Sequence, residues 1–475
     1  MMLNTFISRI VVLLSQLILG YLLIPSDFGL YAIALSITNS LSAIRNGGTP
    51  QLLVNRGDGY KEILSKSTQY SLIFNVAAFF SLLIIAPITN HYISHPDLIM
   101  MCVAIGLSFP LGTFGTVYRI ELSIQGRFKE VATLNTWSTI MWQAEVITLA
   151  SLGFGAYSYA IPMVLQSLMD GALGWHFVRE WPISGSRIRW ADFVSLFKET
   201  KWIMLGAAML SIGLTGHYFA AGLFADVSTV GYFFFGFQIA YTLFVLMNNA
   251  IESVLPAVFS RANNDQTQQS RMVMDILSIL LVVSIPVSVG LMLAASPIIK
   301  TLWHGRWDSS VIVIKDIALC IPAWVIIAIY RAVLEARGLW RSRFLLLTVY
   351  GLGTFVVVAI SAFGSNLNRM SLSLLAFYSI MGLLLLARLS RLLNRNLISC
   401  MSMLLKPLLV SLVCYLVAIV FGLFLPGGNV NGFRVGLAEL SLFLILSIIM
   451  NIAFFGDIWH AAFKLAKGEM VESID

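Results

Sequence analysis

The sequence predicts an all-α, polytopic membrane protein with about 14 transmembrane helices, arranged as two six-helix lobes plus two C-terminal helices. Composition is the first reason: 58% of the residues are hydrophobic, only 11% are charged, and the mean hydropathy is +0.86. An ordinary globular domain carries roughly a quarter charged residues. The other two reasons are apolar runs of about 20 residues, the length that a bilayer core requires, and a hairpin pattern that occurs twice.

Fourteen apolar runs separated by short polar breaks predict the spans. Their ranges are 5–24, 28–45, 67–89, 99–118, 131–152, 155–178, 202–224, 229–258, 273–295, 312–332, 344–363, 370–388, 405–425 and 435–456. The first run ends in Ile-Pro rather than at a small-residue cleavage site, so we interpret it as a retained helix and not a signal peptide. The long eighth run must tilt or extend beyond the membrane.

Lysine and arginine are distributed unevenly between the two sides of this predicted topology. One side holds all but five of the 30 basic residues, and the five are Lys300, Arg306, Lys315, Arg369 and Arg434. The basic side is cytoplasmic by the positive-inside rule, which places both termini in the cytoplasm. Topology thus accounts for the net charge of +7, and the scattered charges do not indicate a nucleic-acid partner.

Motifs for catalysis, cofactors or metals do not occur in the sequence. There is no phosphate-binding G-x-x-x-x-G-K-[ST] loop and no metal-binding H-E-x-x-H. The cysteines lack metal spacing and are predicted to be small core residues, at Cys102, Cys320, Cys400 and Cys414. The longest outer loop, at 296–310, is too short for an acceptor-binding domain. We therefore predict neither an enzyme nor a cofactor.

A short pattern occurs twice, as "SDFGLYAIALSIT" and as "STVGYFFFGFQIA", with Gly29 and Gly231 at equivalent places. Each glycine fits a tight turn or a close helix approach. If the likeness is not chance, it marks two parallel repeats, which place substrate between them and rock against each other. The predicted boundaries are an N-terminal lobe at 1–180, a cytoplasmic linker at 181–201, a C-terminal lobe at 202–392, and helices 13 and 14 with a tail at 393–475.

Several stretches between about residues 22 and 392 also share a pattern with a known family. They are "PSDFGLYAIAL", "HPDLIMMCVAIGLSFPLGTFGTVYRIELSIQGRFKEV", "TVGYFFFGFQIA" with "LPAVFSRANND", and "LWHGRWDSSVIVIKDIAL" followed by "LEARGLWRSRF". Together they resemble the polysaccharide-type flippases of the multidrug/oligosaccharidyl-lipid/polysaccharide exporter superfamily, close to the Wzx-type and colanic-acid exporters. The chain departs from the family before "PSDFG", where "YLLI" replaces a frequent arginine.

The resemblance implies a flippase in the bacterial inner membrane that moves polyprenyl-pyrophosphate-linked oligosaccharide repeat units to the outer leaflet. These units supply surface polysaccharide such as O-antigen, capsule or exopolysaccharide, and a basic cavity lined by helices 1, 2, 7 and 8 would receive them. Membrane lipid is a partner, and polysaccharide polymerase and chain-length proteins are candidate partners. The alternatives are a cation-coupled multidrug exporter of the same superfamily and, less favoured, a membrane-embedded polymerase or ligase.

Ionisable residues inside the predicted spans are candidate binding groups, because a charge at lipid depth is costly. Arg9 in helix 1 can hold a phosphate or snorkel to the cytoplasmic headgroups. Arg45 at the end of helix 2 can bind the same phosphate or only mark the cytoplasmic side. His217 in helix 7 can bind substrate, carry a coupling proton or form a hydrogen bond in the core.

Carboxylates and amides complete the candidate set. Glu145, Asp170 and Glu252 in helices 5, 6 and 8 can bind a driving cation or pair with the basic groups, and Glu252 can also be solvated at the cytoplasmic end. Four amides can bond to sugar hydroxyls or, alternatively, join helices at about 0.6 kcal/mol each; they are Gln16, Gln238, Asn248 and Asn249. The aromatic residues at 232–237 cover every helix face, so most are expected to contact lipid or other helices.

Overall fold

The computed structural model describes residues 2–459, apart from 42–44, 46, 186, 262–264 and 425–431. All regular elements in this part of the chain are helical, so the all-α prediction is confirmed. The α-helices are α1 Met2–Leu22, α2 Pro25–Ser40, α3 Thr49–Arg56, α4 Tyr60–Ile93, α5 Leu98–Ile124, α6 Phe128–Ser151, α7 Tyr157–Val178, α8 Trp190–Phe224, α9 Val227–Arg261, α10 Gln266–Trp303, α11 Ser310–Ala318, α12 Ile321–Ala336, α13 Trp340–Ser361, α14 Leu367–Leu392, α15 Leu397–Phe424 and α16 Gly432–Phe454.

All fourteen predicted spans coincide with helices, although several boundaries differ. The tenth span is broken into α11 and α12, which meet at 49° just before Pro322 at the start of α12. Proline favours such a position because it has no backbone N–H to donate to the preceding turn. Helix α10 extends to Trp303, so most of the predicted outer loop at 296–310 is helical and only 304–309 connect the two helices.

The long apolar helices confirm a multi-pass membrane protein. Nine helices within the described residues are long and apolar enough to cross a membrane, or up to eleven if each bent pair counts as one span. The bent pairs are α11 with α12, and Leu14–Leu22 with α2, which meet at 118°. The count of fourteen crossings stays a prediction.

Aspartates cap the starts of α2 and α9 from different positions, Asp27 from inside the first turn of its helix and Asp226 from the residue before its helix. Asp27 accepts a hydrogen bond from the backbone N–H of Ile24 at 3.1 Å. Asp226 accepts from the N–H of Thr229 at 2.8 Å and from its hydroxyl at 2.7 Å. Burial raises the pKa of Asp226, but hydrogen bonds from Ser365 and Thr229 lower it by more. Asp226 therefore stays ionised, as a helix cap, at mildly acidic pH.

The two glycines of the repeated pattern face each other across a very close helix contact. A Cβ atom on Gly29 would lie 2.9 Å from the backbone nitrogen of Gly231 and would collide with the carbonyl of Val227. A Cβ atom on Gly231 would collide with the carbonyl of Pro25. The predicted close helix approach is confirmed, and it excludes any side chain at either position.

Replacing Gly29 with alanine is expected to destabilise the protein by about 1 to 3 kcal/mol, because the added methyl group meets backbone atoms that cannot rotate away. The midpoint of thermal unfolding of the detergent-purified protein measures this effect. Gly59→Ala is the matched control, since no atom lies within 4 Å of its added methyl group. Equal midpoints for the two variants would contradict the contact.

Contacts group the helices into two compact units. The first contains Met1–Gly231 and Phe344–Ser365. Within it, α5 packs against α4 and α7, α2 against α8, and α1 against α6. Helix α13 joins this unit through Gly351, where a Cβ atom would lie 3.3 Å from the backbone carbon of Met209 on α8. A small residue is required there because the two backbones approach so closely.

The second unit contains Tyr232–Arg343 and Asn366–Asp475. In it, α10 packs against α12, α15 and α16, and α12 packs against α14. Trp324 of α12 lies at the centre of an aromatic cluster, with Phe237, Tyr241 and Tyr378 at ring distances of 5.4 to 5.6 Å. Helices α8 and α13 belong to the first unit, whereas the predicted lobes place residues 202–392 together in the C-terminal lobe. The division into these lobes stays a prediction.

Candidate functional site

The predicted site residues are divided between the two units. The first unit holds Gln16, Arg45, Glu145, Asp170 and His217, and the second holds Gln238, Asn248 and Asn249. Arg9 and Glu252 fall outside the described side chains. The roles of all ten residues in binding or coupling stay predictions, while the surroundings of the other eight are visible.

Asp170 belongs to a three-residue polar cluster inside the first unit, formed by α5, α6 and α7. Its carboxylate pairs with the guanidinium of Arg119 and accepts a hydrogen bond from the hydroxyl of Ser138. The Arg119 Nη2 atom also donates to Ser138 at 3.3 Å. Only 15% of the Asp170 side chain and 33% of the Arg119 side chain are exposed. The carboxylate thus has a cation already, and that cation is neither Arg9 nor His217.

Helix packing brings this pair together. Gly115 lies one turn before Arg119 on α5, and a Cβ atom there would lie 2.7 Å from the Cβ of Asp170. The glycine therefore lets α7 approach closely enough for the charges to meet. Arg119 was assigned to a cytoplasmic loop from the sequence, but α5 continues to Ile124.

A sequence signal for this longer helix does exist. Gly126 has a φ of 71°, and the N–H of Arg127 bonds to the carbonyl of Leu122 at 2.9 Å. This is the glycine-dependent ending that commonly closes a helix. "IQGRF" could therefore have placed the helix end after Arg119.

The guanidinium of Arg45 lies beside the middle of α5 rather than near either end of that helix. Its guanidinium carbon is 5.0 Å from the centre of the Phe109 ring. Phe109 is the twelfth of the 27 residues of α5, which places it about 16 Å from one end of the helix and about 22 Å from the other. In the described part of the chain no carboxylate pairs with Arg45. An aromatic face supplies its contact, a cation–π interaction.

His217 on α8 is fully buried. Its ring centre is 4.1 Å from that of Tyr218, and the backbone of Gly213 is within hydrogen-bonding reach of the imidazole. These surroundings match the core-histidine alternative better than a group that is open to substrate.

Two glutamates in the first unit differ in their partners. Glu145 on α6 has one buried carboxylate oxygen that lacks a hydrogen bond within the described residues. Glu121, which the sequence analysis did not single out, is 1% exposed and accepts bonds from Tyr60 at 3.2 Å and Gln125 at 3.3 Å. Glu121 is thus held in a polar cluster near one end of α5, whereas Glu145 retains an unused acceptor.

The amides of the second unit lie beside a further arginine. Asn248 on α9 accepts a hydrogen bond from Arg331 Nη2 at 3.4 Å, while Asn249 is exposed and Gln238 is half-buried. Arg331 lies at the end of the predicted span 312–332, whereas α12 continues to Ala336 and places Arg331 more than one turn inside the helix. The unit therefore combines an amide and a cation, a pair that can bind both a sugar hydroxyl and an anionic oxygen.

The aromatic residues at the start of α9 and the cysteines are mostly core groups. Phe233, Phe234, Phe235 and Phe237 are all buried, and Phe235 stacks on Trp307 at 3.9 Å. This confirms that most of these rings contact other helices or lipid. All four cysteines are buried, as predicted. The described residues contain no group of three or more side chains suited to a metal ion.

Solved structures of two kinds share this fold. The lipid II flippase MurJ, in an inward closed conformation, superposes with a TM-score of 0.74 over 96% of this chain and 98% of its own, at 16% sequence identity. An inward-facing multidrug resistance transporter of the MATE family gives a TM-score of 0.59 over 81% and 95%, at 14% identity. At such low identity the likeness shows the fold alone.

Sequence comparisons add the biological context. The chain is 21% identical over 320 residues to the teichuronic acid biosynthesis protein TuaB of Bacillus subtilis (strain 168), and the match spans 64% of the length of each protein. Residues 18–312 match the family model described as polysaccharide biosynthesis protein. The chain therefore belongs to the polysaccharide biosynthesis protein family, and it has the fold of the multidrug/oligosaccharidyl-lipid/polysaccharide exporter superfamily.

Proposed function

We propose that this protein is a flippase for polyprenyl-pyrophosphate-linked oligosaccharide repeat units and moves them from the cytoplasmic to the outer leaflet. The observation that carries the proposal is the guanidinium of Arg45, which lies at the depth of mid-α5 on the ring of Phe109. A cation at this depth is costly unless it binds an anion or faces a polar cavity. Membership of a polysaccharide biosynthesis family supports a glycan-linked cargo.

The chemistry of the cargo fits this group. A pyrophosphate carries several negative oxygens, and a guanidinium can bind two of them through parallel hydrogen bonds. The cation–π contact with the Phe109 ring does not use the N–H donors of the guanidinium, which can therefore form such bonds. Arg331 with Asn248 in the second unit offers a similar combination for phosphate or sugar oxygens. The polyprenyl chain stays in the lipid throughout.

The transport cycle we propose is alternating access, in which the head group site opens to one side of the membrane at a time. Cargo or ion can drive such a cycle only if it binds the two states with different affinity. An arginine that faces an aromatic ring rather than a carboxylate gains most from an incoming anion. Binding of the pyrophosphate is therefore the step that shifts the equilibrium.

A second candidate is a cation-coupled multidrug exporter. The buried carboxylate oxygen of Glu145 favours it, because that oxygen has no hydrogen-bond partner in the described chain and can accept a cation. Against it, Asp170 is already neutralised by Arg119. The anionic cargo is preferred because Arg45 lies at membrane depth with an aromatic partner.

The lipid-linked oligosaccharide pool of the native host, measured with and without this gene, tests the proposal. Deletion is expected to cause intact repeat units to accumulate on the cytoplasmic leaflet and surface polymer to disappear. The mass of the accumulated lipid then identifies the sugars. Normal polymer together with altered sensitivity to cationic drugs would overturn the flippase and favour the exporter.

A further inference from the structure

An apolar groove between α6 and α7 has no part in the proposed transport. Its volume is about 400 Å³. The apolar part of its lining consists of Leu134, Trp137, Met141, Met169, Leu173 and Phe177. Trp137 is 50% exposed, so the groove is open at this residue rather than sealed in the core. In a membrane protein, an open apolar groove on the outside of a helix pair contacts lipid chains.

The length of the groove corresponds to one leaflet. Its lining residues fall within 133–141 on α6 and within 169–177 on α7. Eight residue steps on a helix span about 12 Å, whereas the whole hydrocarbon core is about 30 Å thick. One acyl chain of a single leaflet therefore matches the groove, and a long polyprenyl chain exceeds it.

Basic side chains surround one end of the groove. His176 lines that end, and Arg179 lies beside it, with its Nη2 atom 3.4 Å from the His176 Nδ1 atom. Arg127 donates to the carbonyl of the lining residue Phe177 at 3.2 Å. Lys129 is exposed and lies one turn before the lining residue Thr133. The hydroxyl of Thr133 donates a hydrogen bond to the backbone carbonyl of Lys129 at 2.9 Å. This end is the cytoplasmic one in the predicted topology.

The charges at this end favour an anion. Glu130 pairs with Arg127 at 3.2 Å, and Glu180 is exposed next to Arg179. Lys129 and Arg179 keep this rim net positive after both acids are counted. A phosphate at the rim would reach these two cations while its acyl chain lies in the groove.

The geometry points to a binding site for an anionic phospholipid, with its phosphate at Lys129 and Arg179 and one acyl chain between α6 and α7. Basic pockets between transmembrane helices at the cytoplasmic surface bind such headgroups. A zwitterionic lipid brings no net charge to the rim and binds more weakly. The site shares no residue with Arg45, Arg331 or Asn248, the groups that the proposed cargo site uses.

Native mass spectrometry of the detergent-purified full chain, titrated with phosphatidylglycerol or phosphatidylcholine, tests this site. The wild-type protein is expected to retain phosphatidylglycerol in preference to phosphatidylcholine. The double variant Lys129→Gln/Arg179→Gln is expected to bind it about 25-fold more weakly, at about fivefold for each charge removed. Leu173→Trp is expected to remove the bound lipid by filling the groove.

Arg388→Gln/Lys406→Gln is the matched control, because it removes two exposed basic residues elsewhere on the predicted cytoplasmic side. Equal losses in the two double variants would overturn the site and indicate general charge attraction. Equal binding of phosphatidylcholine, or displacement of the lipid by polyprenyl phosphate but not by added phosphatidylglycerol, would overturn it as well. The rim substitutions lie on the surface, so the test does not depend on folding of Leu173→Trp.

Discussion

Arg45→Gln is expected to reduce transport at least about tenfold, because each hydrogen bond from a charged group to the pyrophosphate contributes about 1.5 to 3 kcal/mol. The glutamine keeps a hydrogen-bonding end but loses the charge and the cation–π contact with Phe109. Arg45→Lys is expected to give an intermediate rate, since an ammonium keeps the charge without the planar pair of donors. Accumulation of lipid-linked repeat units, normalised to the amount of protein in the membrane, measures both effects.

Arg56→Gln provides the control for Arg45. Arg56 forms an exposed ion pair with Glu199 at 3.0 Å, and such pairs contribute about 0 to 1 kcal/mol. We expect the transport rate of Arg56→Gln to equal that of the wild-type protein. Wild-type transport by Arg45→Gln, at a normal protein level, would mean that Arg45 serves only to set the topology.

Asp170→Asn is expected to lower the stability of the folded protein by about 2 to 4 kcal/mol. The substitution leaves the cation of Arg119 in a low-dielectric site without its partner, which costs about 3 to 5 kcal/mol for a fully buried pair. Our figure is smaller because 33% of the Arg119 side chain is exposed. Thermal or denaturant unfolding in detergent measures the loss.

The double variant Arg119→Gln/Asp170→Asn is expected to recover most of that stability, because two neutral amides can bond to each other and to Ser138. The cycle formed by the single and double variants isolates the coupling between the charges. Glu199→Gln, at the exposed pair with Arg56, is expected to change stability by less than about 1 kcal/mol.

Asp170→Asn also distinguishes two roles of Asp170, pairing with Arg119 and coupling of a cation to transport. A protein with wild-type stability but without transport would contradict the ion-pair role and support Asp170 as the group that couples a cation. Loss of stability with transport per folded molecule retained would assign Asp170 to helix assembly.

The sequence predicted the fold class and the position of every long helix because hydrophobic runs of span length are explicit in the amino-acid order. It also indicated a tight turn or a close helix approach at Gly29 and Gly231, which occupy equivalent places in a repeated pattern, but it did not predict that the two glycines face each other. It did not predict the break between α11 and α12, because an apolar run shows no interruption where a helix only bends. Pro322 was the available signal.

The candidate site was less predictable, because partners are determined by three-dimensional packing. Asp170 was identified as an ionisable residue at lipid depth, but its partner Arg119 is 51 residues earlier in the chain. The predicted spans 99–118 and 312–332 end next to Arg119 and Arg331, because hydropathy falls where a helix extends past the apolar core. Arg45 was a candidate from the sequence, but its contact with Phe109 depends on packing between residues 64 positions apart, which no local pattern contains.

The ion pair between α5 and α7 also has a consequence for the order in which the helices assemble. Ribosomes complete α5 before Asp170 exists, so we expect Arg119 to reach first toward the interface, about 8 Å from its own position on the helix. An arginine left inside lipid costs up to about 2.5 to 3.5 kcal/mol, the value for the centre of a helix. We therefore expect α5 to reach its full stability in the bilayer only after α7 has been inserted.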